Sequence, residues 1–73
     1  MVQSNKDFRR TVKEVRRQLG LSQEELAHEL AVSFSTINRW ENGKTVPFKL
    51  TRRHFDDFCR RMIEQGKLKL DRL

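Results

Sequence analysis

A chain of 73 residues with a formal net charge of +6 and a pI near 10.3 holds one modest core, and excludes a second module or a large active-site cleft. The basic excess points to a polyanionic partner, because each neutralised phosphate releases counterions. The lone cysteine, Cys59, rules out an internal disulfide and has no zinc-ligand spacing with His28 or His54, so packing must hold the fold, which is compatible with a reducing interior. No apolar run reaches the length of a membrane span, and no apolar signal region follows the first basic residues, which makes the cytoplasm the expected location.

In chain order, Ser4 and Asp7 form a candidate capping pair. Phe8, Val12, Val15 and Leu19 then recur at steps of four, three and four, which predicts an amphipathic helix ending before Gly20. Its other faces carry Arg9, Arg10, Lys13, Arg16 and Arg17, read either as solvated surface or as a flank that touches phosphates. Ser22 and Glu25 have the spacing of a capping box, so a second helix starts at about Gln23. Leu26, Ala27 and Leu30 should line its inner stripe, with Glu24, His28 and Glu29 outward. Ser33 offers another N-cap within three residues. The chain must therefore bend and restart, and a third helix is predicted over about Phe34 to Asn42, stopped by Gly43 in the left-handed conformation. Ile37 and Trp40 face inward in this reading. Phe34, Ser35, Asn38 and Arg39 are left on the outer surface. Two short helices joined at a tight turn are the layout of a helix-turn-helix.

A short loop, 44–46, comes next, and Pro47 suits a first helical position because its missing donor is harmless there. Leu50, Phe55, Phe58, Cys59, Met62 and Ile63 predict an inward stripe on a fourth segment to about Gln65, as one long helix or two short ones, ended by Gly66. The remaining KLKLDRL reads as a strand pairing across a dimer or as a frayed tail, with the frayed tail favoured. The domain is thus drawn as 1–66, with the motif at about 22–43 and a tail at 67–73. Charge is unevenly distributed: residues 1–21 sum to +4, 22–43 to −3 and 44–73 to +5. Basic ends would grip phosphates while a nearly uncharged surface inspects base edges.

The stretch from Leu21 to Pro47, LSQEELAHELAVSFSTINRWENGKTVP, resembles the Cro and lambda-repressor-like helix-turn-helix family, also called the Xre family of bacterial and phage regulators. The resemblance implies an all-α, compact bundle of four or five helices. It further implies a sequence-specific transcriptional regulator, expected to be a repressor associated with the nucleoid, that binds double-stranded operator DNA as a homodimer. On matching positions, Gln23 corresponds to a phosphate anchor, and Phe34, Ser35 and Arg39 to base readers bordered by Ser33 and Asn38. Arg39 can present a fork of donors to guanine O6 and N7. Phe34 stands where a polar residue is common, and either touches a thymine methyl or folds back on the scaffold. Asn42, Lys44 and Thr45 match a segment that contacts the backbone. Arg16 and Glu41 match an ion pair joining the first helix to the end of the third, with Arg16 also near a phosphate. Ala31 replaces a common turn glycine, which implies a conformation that alanine accepts or a small strain.

Two other functions keep this fold. An antitoxin would also mask a toxin partner, and a protein-interaction adaptor would have lost base reading, a possibility to which Phe34 and the acidic balance of 22–43 lend support. No dimer surface is identifiable, although exposed parts of the fourth helix and Leu68, Leu70 and Leu73 are candidates. No nucleophile, acid cluster, glycine-rich phosphate loop or metal-ligand constellation accompanies His28 or His54, so neither an enzyme nor a metal or cofactor site is expected.

Overall fold

The computed structural model describes residues 5–70. Among them the chain forms four helices, α1 (Asn5–Leu19), α2 (Gln23–Leu30), α3 (Phe34–Glu41) and α4 (Lys49–Glu64), and no strand. Ser4 and Leu73 lie outside the described residues, and with them the first half of the proposed α1 capping pair and the last candidate tail leucine.

The start of α2 shows why the chain turns where it does. Ser22 has extended backbone, its side chain accepts from the Glu25 N–H at 3.0 Å, and Glu25 Oε1 accepts from the Ser22 N–H at 2.8 Å. Two of the orphan donors at the helix start are satisfied locally in this way. Ser33 caps α3 by accepting from the Thr36 N–H at 3.1 Å. Between the two, Ala31 sits at φ 57°, ψ 42°, the left-handed region. This is the strain left open by the sequence, and a non-glycine residue there costs about 1–2 kcal/mol. Gly43 ends α3 at φ 73°, and a side chain there would be strained whatever the space around it.

Three aromatic rings tie the helices together. Phe8 of α1 meets Trp40 of α3 edge-on at 5.4 Å and Phe55 of α4 at 5.3 Å, while Trp40 and Phe55 are 6.3 Å apart. Each such pair contributes about 0.5–1.5 kcal/mol beyond its area burial, and the edge-to-face contacts join three helices at one place in the core. Val12, Val15, Leu26, Ala27, Leu30, Ile37, Phe58, Cys59 and Leu68 complete the core. The Cys59 thiol is fully buried. Burial pushes its pKa up to about 12, with the Asp56 charge adding to the shift and Arg52 opposing it.

The chain departs from the sequence reading in three places. Pro47 precedes α4 rather than opening it, and Phe48 occupies the cap position with no side-chain bond. Leu50 points to solvent, 65% exposed, not into the core. A step of five from Leu50 to Phe55 rotates about 140° around the helix, which takes it off the stripe that Phe55, Phe58, Cys59 and Met62 share. The third departure is at the C-terminal side, where a frayed tail was favoured. Leu68 is buried and Leu70 packs on the core, while Gln18 clasps the intervening residue, donating to the Lys69 carbonyl at 2.9 Å and accepting from its N–H at 2.7 Å. The alternation in KLKL reports an extended strap with one buried face. No second strand is needed to explain it.

Ala31→Gly is expected to raise stability by about 0.5–1 kcal/mol in urea unfolding, since relief of the left-handed strain outweighs the added freedom of the unfolded glycine chain. An unchanged or lower midpoint would show that the turn holds no strain.

Candidate nucleic-acid interface

The interface is organised around one carboxylate. Glu41, at the last position of α3, is 3% exposed, and among the described residues it is the sole buried charged side chain. Arg16 of α1 grips it with both arms of the guanidinium, Nε to Oε2 at 2.5 Å and Nη2 to Oε1 at 2.9 Å, and donates its third contact to the Leu21 carbonyl at 3.1 Å. Gln23 of α2 donates from Nε2 to Glu41 Oε1 at 2.9 Å. Residues from all three helices therefore converge on one carboxyl group. Burial by itself raises the pKa of Glu41. The hydrogen bonds from Arg16 and Gln23, with the charges of Arg16 and Lys13, outweigh burial and hold it below the ordinary carboxylate value.

The network runs on along α3. Asn38 Nδ2 donates to Gln23 Oε1 at 3.3 Å, and Asn42 Nδ2 donates to Asn38 Oδ1 at 2.9 Å. The amides thus form a chain from Glu41 to the end of the helix, each oriented by the next. Residue types alone suggest that Gln23, Asn38 and Asn42 are free polar groups on a surface. Their mutual bonds were missed, although α2 and α3 each contribute a carboxamide at a half-buried position. Among the described residues one amide N–H of Gln23 and one of Asn42 remain unused, because a carboxamide has two donors. Ser33 is similarly engaged, since its oxygen caps α3 and lies 2.9 Å from Thr36 Oγ1.

Phe34, Ser35 and Arg39 differ from these. All three are exposed, and Arg39 forms no ion pair or side-chain hydrogen bond among the described residues. Phe34 retains 49% exposure, so it has not folded away into the core. Lys44 and Thr45 are also exposed and follow directly after Gly43, with the Lys44 N–H bonded to the Arg39 carbonyl at 3.0 Å. That bond sets the direction in which the loop leaves the helix. The exposed side of α3 thus presents one unpaired guanidinium, a hydroxyl and an aromatic ring, with a cation at its C-terminal end. Such a surface suits hydrogen bonding to base edges beside a phosphate chain.

Among the described residues no helix is long and apolar enough to cross a membrane, and no group of three potential metal ligands is found.

With this geometry in place, residues 12–47 match the family profile described as helix-turn-helix, a span running from the middle of α1 through α2 and α3 to Pro47. The segment is a helix-turn-helix of the Cro/C1, Xre-like type, and the all-α architecture around it is the lambda-repressor-like fold. The chain is accordingly a DNA-binding helix-turn-helix regulator. Neither a curated protein nor a solved structure matches it.

Removing Arg16 strands the Glu41 charge. Arg16→Ala is expected to cost about 3 kcal/mol, the lower end for a buried pair because the arginine side chain is 25% exposed. Arg16→Lys should recover little of this, since a point charge cannot replace two parallel bonds. Because the Glu41 pKa is depressed in the folded chain, its stabilisation is fully present above the unfolded carboxylate value and is lost as pH falls through the folded one. Urea unfolding followed from neutral pH downward should show that loss in the wild type and a shallower acid slope in Glu41→Gln. Some slope should survive, because Glu14 is also held down, to about 2, by hydrogen bonds from Arg17 and Gln18.

Proposed function

We propose that the protein is a sequence-specific transcriptional repressor that lays α3 in the major groove of operator half-sites. The observation that carries this reading is the unpaired, exposed Arg39 on the outer face of a helix whose inner face is fixed by Glu41 and the aromatic cluster. A rigid helix with a free guanidinium can choose between base pairs, because its donors are not averaged over many positions. Arg39 reads guanine O6 and N7 in this proposal. Phe34 contacts a thymine methyl, and Ser35 bonds to a neighbouring base edge. Ser33 and Asn38 border the readers and set their positions, Ser33 through the cap and Asn38 through its bonds to Gln23 and Asn42.

The phosphate contacts form the rim. Gln23 offers its second amide N–H together with the open amides at the start of α2, Asn42 its unused donor, and Lys44 and Thr45 their exposed heads. Arg16 lies at the same end of α2 with its side chain 25% exposed, close enough in the fold to add a field without leaving Glu41. Repression follows from occupancy, since a protein seated in the groove blocks other proteins from the same duplex. In this proposal the protein acts at the nucleoid.

Selection of bound duplexes from a random pool tests the reading directly, with enrichment of a guanine-containing motif as the expected result. Against the selected duplex, Arg39→Ala should lose about 1–3 kcal/mol of discrimination at one base pair. Lys44→Ala should weaken all duplexes alike and reduce the salt slope by about 0.9. If no motif is enriched at moderate salt, base reading is absent. If the two variants behave alike, the division between reading and anchoring is wrong.

A further inference from the structure

The last turn of α2 and the middle of α4 border a cleft of about 220 Å³. Buried Leu30 and Phe58 supply its apolar lining, and around them stand two acids, Glu29 and Asp57, and two bases, His54 and Arg61. On α4, His54, Asp57, Phe58 and Arg61 follow at steps of three, one and three, so the helix turns all four toward the same side. The guanidinium of Arg61 lies over the Phe58 ring, 5.9 Å from its centroid, which sets a positive charge directly beside the apolar lining. Charges of both signs gathered at one cleft ordinarily neutralise one another. Here, among the described residues, Glu29, His54 and Arg61 form no ion pair or side-chain hydrogen bond. Asp57 meets only Arg60, at 3.4 Å, a solvated contact that contributes little. The cleft therefore offers acceptors, donors and an apolar surface together.

We infer that this cleft binds a small zwitterion, a free α-amino acid with an apolar side chain. The ammonium sits between Glu29 and Asp57, where the negative end of the α2 dipole adds to their attraction. The carboxylate takes paired donors from Arg61, with the His54 ring as a further donor. The side chain lies on Leu30 and Phe58 and removes apolar surface from water. A purely cationic ligand would meet Arg61 unopposed, and a purely anionic one would face two carboxylates, so neither charge alone suits the site. Volume sets the size: clefts that take drug-sized ligands run to about 300–1,000 Å³, so this smaller one fits a molecule of about a dozen non-hydrogen atoms. The lining residues lie outside the base-reading and phosphate-contacting sets, so ligand and duplex do not compete for the same side chains. The inference stands apart from the DNA-reading proposal for the same reason.

The test is a titration of the full chain without DNA, followed through the amide resonances of Glu29, Leu30, His54, Asp57, Phe58 and Arg61. The probes are L-phenylalanine and L-leucine. Both should give saturable shifts there, with a dissociation constant of about 1 mM, the range for so small a ligand. Phenethylamine lacks the carboxylate and 3-phenylpropionate lacks the ammonium, and each should bind about tenfold or more weakly than phenylalanine. Glycine, which has no side chain to place on the apolar lining, should give no saturable shift. Glu29→Gln should weaken phenylalanine and phenethylamine while sparing 3-phenylpropionate. Arg61→Gln should weaken phenylalanine and 3-phenylpropionate while sparing phenethylamine. Both side chains are exposed, so either variant should unfold at the wild-type urea midpoint, which separates lost binding from lost fold. No saturable shift with either amino acid overturns the proposal. Phenethylamine or 3-phenylpropionate binding as tightly as phenylalanine also overturns it, because the cleft would then take a single charge. Full affinity for phenylalanine in both variants does so as well, since the ligand would be held elsewhere.

Discussion

The orientation of α3 depends on burying the Glu41 carboxylate where only two specific neighbours can compensate it. An apolar core resists water but tolerates small rotations, because dispersion contacts have little directional preference. A carboxylate at 3% exposure does not tolerate them: if α3 turned away, it would leave Arg16 and Gln23 and keep its charge in a poorly solvated site. Arg16 comes from α1 and Gln23 from the first position of α2. The single group on α3 therefore sets that helix against both of its neighbours at once. The aromatic cluster supplies bulk and edge-to-face geometry on the core side of the same helix, through Trp40.

This arrangement separates the two duties of an eight-residue helix. Ile37, Trp40 and Glu41 hold it, and Phe34, Ser35 and Arg39 are left free of structural tasks. Asn38 lies on the border and takes part in the holding, through its bonds to Gln23 and Asn42. The charge pattern of the chain fits the same division. The motif segment is acidic overall, and its negative charges are either the buried Glu41 or lie on α2 at Glu24, Glu25 and Glu29, while cations dominate the flanks. The exposed cations nearest α3 are thus Arg39 and Lys44, with the acidic groups of the motif set on α2.

Much of this was legible in the sequence where a local rule has few competitors. Ser22 with Glu25, Ser33, and the glycines at 20, 43 and 66 mark helix ends through bonds or dihedral angles confined to a few residues, and α1 to α3 fall where those marks put them. The features that escaped depend on more distant partners. Leu50 was assigned to the core from its residue type, against its angular position on α4. Leu68 looked like part of a loose end because the clasp that holds its neighbour Lys69 comes from Gln18, 51 positions away. The amide chain of Gln23, Asn38 and Asn42 was invisible for a related reason: three polar residues give no sign of whether they face solvent or one another until two helices are brought side by side.

The buried thiol of Cys59 has a practical meaning beyond its place in the core. With its ionisation pushed to about 12 and no surface open to solvent, almost none of it exists as the reactive thiolate at neutral pH, so alkylating reagents find no target in the folded molecule. Its rate of chemical capture is then set by how often α4 separates from its neighbours. The chain carries a native clock for its own rare openings, one that can be timed with and without a bound duplex and needs no introduced label.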